Sequence, residues 1–359
     1  MESVARQFAT GKHVMVLRNG WFSFRWTEIF DMGQIPLSHT VLKAQPTPVN
    51  TSSSSTETTA TTAMNDSSNG GVTHYAPYPL DQVVAMIHKE RPAAFFCPHV
   101  ETSTGMMVSD EYIKTVTEAM HQVNGLFVLD CIASGTIWVD MKQLGIDVVI
   151  SAPQKGWTGA PCAALVMMSQ RAVDTMMQNN NNHTIAETSF SLSLKRWTAI
   201  MDTYELGGFG YHTTMPTDAL RDFHEISVET LQFGLPELKA AQNELGWRAR
   251  SILNSKGLIS VAAPGAQAPG VLVYYSPVGT DNPVMMQRFK DVAGMQIAMG
   301  VPWRIDEPNG MKTFRIGLFG LDKLKKIDET LSIMEHGLDT VLTELTSTAN
   351  NDGGTTRAA

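Results

Sequence analysis

Short apolar runs set between turn residues constrain this chain most: HVMVL (13–17), TVLKA (40–44), AAFFC (93–97), LFVLD (126–130), DVVIS (147–151) and AALVMM (163–168). Runs of four to eight such residues predict strands buried on both faces. Between them, LDQVVAMIHKE (80–90) and SDEYIKTVTEAMHQV (109–123) repeat apolar residues at three and four, the helical spacing. Strands alternating with helices predict βαβ units and a mostly parallel sheet, an α/β fold.

The pattern changes near residue 217. A long helical stretch runs toward 256, with a bend or break expected at Pro236; a strand follows at 270–276 and a helix near 284–294. The last helix places Leu324, Ile327, Leu331, Met334, Leu338 and Leu345 on one face. We therefore expect a large domain over 1–216, a smaller α+β domain over 217–348 and a frayed tail over 349–359. A Ser/Thr/Asn-rich tract over 47–73 reads as a disordered surface insertion, and NNNN at 179–182 as a second loop.

The net charge of -8 argues against nucleic acid or an anionic membrane surface as partner, both of which need clustered cations. No apolar run reaches the roughly 18 residues of a membrane helix, and no signal peptide is present, which makes the cytoplasm the expected compartment, with peroxisome or mitochondrion left open. Cys97, Cys131 and Cys162 are odd in number and widely spaced, as reduced core residues rather than a disulfide framework; no metal motif occurs. The sequons at Asn50, Asn65 and Asn182 read as chance matches.

Two residues stand where an open α/β sheet puts its ligands: Asp130 closes one strand and Lys155 follows the next after a short Gly- and Pro-rich turn. Their separation leaves room for one crossover between neighbouring parallel strands, so both can reach one crevice. A lysine amine and a carboxylate in that relation are what pyridoxal phosphate chemistry requires.

These residues carry a resemblance. HVETSTG (99–105), LFVLDCIASG (126–135), SAPQKGW (151–157), YHTTMP (211–216) and FRIGLFG (314–320) resemble, in order, the motifs of class V, fold-type I aminotransferases of the alanine–glyoxylate and serine–pyruvate group. The resemblance implies pyridoxal 5'-phosphate as cofactor, Lys155 as the Schiff-base lysine and Asp130 as partner of the pyridinium nitrogen. It further implies cofactor contacts from Gln154, Thr102 and Phe22, with Trp21 as the competing ring because Ser23 stands where a glycine is usual. Tyr211 and Thr214 would reach the cofactor phosphate of a neighbouring subunit, which implies a homodimer, and Arg315 would grip the substrate α-carboxylate. The implied activity moves an amino group from alanine or serine to glyoxylate or pyruvate. The alternatives are 2-aminoethylphosphonate–pyruvate transamination, a non-catalytic scaffold and, with no mobile loop cysteine, least of all cysteine desulfuration. MESVARQFATG reads as a helix, with Val4, Ala5 and Phe8 inward, that opens without the family's phosphate-binding turn, so weakened cofactor binding or a longer natural chain is expected.

Overall fold

The computed structural model describes residues 1–47, 72–178, 189–277 and 280–352. A six-stranded sheet forms its centre. The strands are β1 (His13–Arg18), β2 (Ser38–Lys43), β5 (Ala94–Pro98), β8 (Leu126–Asp130), β9 (Val148–Ser151) and β10 (Leu165–Met168), in spatial order β10-β9-β8-β5-β1-β2. All neighbours are parallel except β10, which runs against β9.

The apolar runs divide between two faces with the period of two that a strand imposes. Met15, Leu17, Phe95, Cys97, Phe127, Leu129 and Val149 meet α3 (Leu80–Glu90) and α4 (Asp110–Gln122) through Val83, Ile87, Ile113 and Val116. Val14, Val16, Phe96, Val128 and Ile150 meet α1 (Glu2–Ala9) and α2 (Trp21–Gly33) through Val4, Phe8, Trp26 and Phe30. Burial on both faces removes the alternation of polarity, which is why these strands read as continuous apolar runs. The two edge strands depart from full burial: β2 is largely half-buried, and the 163–168 run shortens to β10, whose Met167 is exposed. A strand at a sheet edge lacks one neighbour to cover it.

Two small ladders flank the sheet, β6 (Val100–Glu101) with β7 (Met106–Met107) and β3 (Gln45–Thr47) with β4 (His74–Ala76). The second corrects the ends of the expected 47–73 insertion: Thr47 pairs with His74, and the Thr73 hydroxyl donates to the Thr47 carbonyl. The insertion from 48 to 71, the NNNN loop, all three sequons and the tail from 353 lie outside the described residues.

After β10 come α5 (Gln170–Gln178), α6 (Leu194–Glu205), α7 (Thr217–Phe233) and α8 (Leu235–Ser255). The helix break expected at Pro236 falls instead at Gly234, whose φ of +101° suits glycine; Pro236 sits in the first turn of α8, where its missing N–H costs nothing. A second, antiparallel sheet orders β11 (Val271–Tyr275), β13 (Thr313–Gly317) and β12 (Ala298–Met299). α8, α9 (Asn282–Ala293), α10 (Leu321–Leu324) and α11 (Ile327–Asp352) cover one of its faces, and the apolar stripe from Leu324 to Leu345 packs there as expected.

Candidate active site

The site gathers at the carboxyl edge of the large sheet, where a doubly wound fold opens a crevice. Register decides which motifs meet. Pro98, Asp130 and Ile150 stand level across β5, β8 and β9, so the 99–105 and 151–157 segments leave the sheet on either side of Asp130. β1 lies beyond β5 and delivers Asn19, Gly20 and the start of α2 to the same edge. From the second sheet, Arg315 reaches across: its Nη1 lies 3.5 Å from the Thr102 carbonyl oxygen, and its Nε donates to the Met299 carbonyl at 2.8 Å.

Asp130 is buried, and its one carboxylate hydrogen bond comes from the Ile132 N–H at 3.1 Å. No lysine, arginine or histidine among the described residues forms an ion pair with it. Burial raises its pKa to about 6, against the smaller opposing pulls of the Ile132 N–H and of the Met1 ammonium. The Trp26 indole N–H lies outside hydrogen-bond geometry yet close enough that its dipole lowers the value slightly. His99 holds the segment that follows: its N–H donates to the Asp130 carbonyl at 2.9 Å and its Nδ1 lies 2.7 Å from Ser134 Oγ. Burial lowers the His99 pKa to about 4, so the ring is neutral at physiological pH.

Lys155 sits half-buried in a tight turn closed by hydrogen bonds from the Thr158 N–H to its carbonyl and from Gly159 to Pro153. Burial lowers its amine pKa, helped by the positive charges of Arg315 and Arg25. The turn is pressed onto the segment after Asp130: a Cβ on Gly156 would stand 2.2 Å from the Gly135 Cα. Trp157, tilted against Trp138 and edge-on to Phe223 at ring-centroid distances of 4.8 and 5.6 Å, holds its outer side. Beside the turn opens a cavity of ≈ 430 Å³ whose lining includes Ile132, Ile150, Gln154, Cys162 and Val166. Cys162 is thus half-exposed in a loop, which corrects its expected place in a strand core; Cys97 and Cys131 are buried as expected.

Sequence reasoning missed Glu101. Its buried carboxylate accepts from the N–H groups of Phe22, Ser23 and Ser103 and lies 2.8 Å from the hydroxyls of Ser23 and Ser103. It therefore satisfies the open N–H groups at the start of α2 and complements the positive end of that helix. Its partners on α2 lie far away in sequence, so only its being an acid among small residues could have drawn attention. Ser23, which looked out of place, is one of those partners and also accepts from the Asn19 and Gly20 N–H groups. Close by, the Asn19 side chain is fully buried with neither amide atom hydrogen-bonded.

The fold thus brings Phe22, Thr102, Asp130, Lys155 and Arg315 to one sheet edge, with Gln154 exposed on the cavity rim. It does not bring Tyr211 and Thr214 there. Those two lie 3.2 Å apart, hydroxyl to hydroxyl, on an exposed loop, Tyr211 being 78% accessible. The arrangement can do amine chemistry next to a buried acid and can hold a carboxylate: a lysine with a lowered pKa, a buried carboxyl and an arginine that forms no ion pair among the described residues.

No family model matches the chain. Over 255 residues it is 28% identical to alanine–glyoxylate aminotransferase 1 of Saccharomyces cerevisiae, covering 69% of this chain and 63% of that one. Over 188 residues it is 27% identical to a 2-aminoethylphosphonate–pyruvate transaminase of Vibrio vulnificus, 51% of this chain and 47% of that one. The ureidoglycine–glyoxylate aminotransferase of Bacillus subtilis superimposes with a TM-score of 0.74 at 21% identity, over 96% of this chain and 76% of that one. The fold is the fold-type I aminotransferase fold. In sequence the chain is similar to the alanine–glyoxylate aminotransferases, and it spans less than two thirds of the length of the yeast protein.

Proposed function

We propose that the protein is a pyridoxal-phosphate-dependent transaminase that moves the amino group of a small amino acid, alanine or serine, to glyoxylate or pyruvate. One observation carries the reading: a buried carboxyl in no ion pair with a lysine, arginine or histidine among the described residues and a lysine with a lowered pKa stand at the ends of adjacent strands of one sheet, beside an arginine from the second sheet.

The donor set fits the cofactor. Asp130, whose charge is costly to bury alone, would hold the protonated ring nitrogen; Phe22 would offer a flat face, and Thr102 and Gln154 would supply polar contacts. When bound, pyridoxal phosphate supplies an aldehyde to receive the amino group and a ring that withdraws electrons from the substrate's α-carbon. The residues of the chain do the rest. A lysine amine with a lowered pKa holds more of its neutral form near pH 7, so Lys155 Nζ can take the α-proton of the substrate and hold it for transfer. Arg315 presents a planar fork that fits the α-carboxylate with two hydrogen bonds and orients the α-carbon toward that amine. The Trp138, Trp157 and Phe223 rings keep the lysine turn in place.

The same reading takes residues 1–216 and 217–348 as two domains and the active unit as a homodimer in which Tyr211 and Thr214 serve the partner's site. Leu206, Phe209 and Tyr211, at 78% to 88% accessible, support it, because apolar side chains grouped on a surface mark an interface. Purified protein mixed with pyridoxal phosphate is expected to gain a visible absorbance that Lys155→Ala lacks, and to turn over alanine with glyoxylate in a coupled assay. A colourless, inactive wild type would refute the reading, and turnover of 2-aminoethylphosphonate alone would replace its substrate.

A further inference from the structure

Between β12 and β13 the chain leaves the second sheet and reaches the first turn of α2. Trp303 anchors this connection: it is buried, with its ring centroid 5.2 Å from that of Tyr75 and 6.1 Å from that of Tyr275. The Glu307 carboxylate then accepts from the N–H groups of Trp303, Arg304 and Ile305 at 2.6, 3.1 and 2.9 Å. Within that clamp Arg304 and Asp306 take left-handed backbone angles, with φ of +63° and +66°. Such a conformation is unfavourable for a residue with a Cβ and persists where the surrounding contacts fix it.

The strained turn delivers two side chains to the large sheet. The Arg304 guanidinium lies 5.0 Å from the Trp21 ring centroid and 5.6 Å from that of Phe24, whose ring also has the Arg18 guanidinium at 4.8 Å. Asp306 takes Lys43 Nζ on both carboxylate oxygens, at 2.7 and 2.8 Å. That ion pair is exposed and contributes little alone, so the hold on α2 falls to Arg304.

These contacts close a circuit around the site. Arg315 Nη1 lies 3.5 Å from the Thr102 carbonyl oxygen, and the neighbouring Ser103 hydroxyl accepts the Trp21 N–H at 2.9 Å. The Trp21 ring meets Arg304, and Met299, where the connection begins, accepts Arg315 Nε on its carbonyl at 2.8 Å. With Arg304 removed, the circuit would rest on the Thr102 contact, which is at the limit of hydrogen-bond length.

We propose that Arg304 is a positioning residue: residues 303–307 form a strap, and Arg304 is the point at which it fixes the distance between Arg315 and the first turn of α2. That distance sets how far the substrate carboxylate stands from the ring of Phe22. The identity of those ligands rests on the transaminase reading, whereas the strap stands on the contacts alone.

Arg304→Gly tests the strap, because glycine suits a φ of +63° and the side chain is lost without straining the turn. In the full chain without cofactor, amide exchange followed by mass spectrometry is expected to quicken about fivefold in residues 20–27 while β5 and β8 keep wild-type rates, since cation–π contacts with two rings are worth about that factor. Arg304→Lys, which keeps a charge over the rings, is expected to restore most of the protection. With pyridoxal phosphate, alanine and glyoxylate, kcat is expected to fall about tenfold in Arg304→Gly and KM for alanine to stay within about twofold, because Arg315 still binds the carboxylate but at the wrong distance. Unchanged exchange in residues 20–27, a change confined to residues 300–312, or an unchanged kcat overturns the proposal. Faster exchange in residues 20–27 of a protein that transaminates no donor would instead refute the transaminase reading and leave the strap standing.

Discussion

Asp130 is the residue whose environment has the widest consequences. Its folded pKa of about 6 lies above the ordinary carboxylate value, so the folded chain binds more protons than the unfolded one between the two values. The stability it contributes is complete below about pH 4 and is lost as pH rises through about 6. For the cofactor-free protein, thermal or urea unfolding from pH 4 to 7 is expected to show this falling component once it is compared with Asp130→Asn, which lacks it. At pH 7.5 the same variant is expected to gain roughly 1–3 kcal/mol of stability without cofactor. It is also expected to lose most of its turnover, since a neutral amide cannot hold a protonated ring nitrogen. A variant that is more stable and less active is the mark of a group placed for function at a structural cost.

At the level of elements, two close contacts fix the site. Glu101 joins the start of α2 to the β6–β7 ladder, and replacing it by Gln swaps an acceptor-only carboxylate for an amide that turns donors toward donors. Glu101→Gln is expected to cost about 1–3 kcal/mol in urea unfolding and to loosen Phe22 with it. Gly156→Ala inserts a methyl group into the Gly135 backbone, so the lysine turn must move outward. A loss of about 1–3 kcal/mol and a fall in kcat larger than any change in KM are expected, because Lys155 would stand away from the α-proton. Elements of this kind explain what the sequence made legible. The buried strands, α3, α4 and the apolar stripe of α11 showed themselves through periodicity, and Asp130 and Lys155 through their places at strand ends. Glu101, Asn19 and the Gly135–Gly156 contact join segments far apart in the chain, so no local pattern marks them. The edge strands misled for a related reason, since an apolar run does not reveal whether a neighbour lies on both sides.

For the whole molecule, the main question is how the surface between residues 189 and 233 is covered. Leu206 and Phe209 are both 88% accessible in the single chain. If a second copy covers them, sedimentation of the wild type is expected to give a dimer, and Leu206→Asp with Phe209→Asp a monomer with unchanged secondary structure by circular dichroism. A monomeric wild type at tens of micromolar would contradict the homodimer. The described part of the molecule contains no helix long and apolar enough to cross a membrane.

The β3–β4 ladder has a practical corollary. Because Thr47 and His74 are paired neighbours, the chain leaves and re-enters the described fold at almost one point. Closing a loop costs little more when it is longer, about 0.6 kcal/mol for each doubling. An affinity tag or a short Gly–Ser bridge in place of residues 48–71 is expected to leave the midpoint of urea unfolding close to that of the wild type. The exchange offers a handle for immobilising or labelling the protein without touching either chain end.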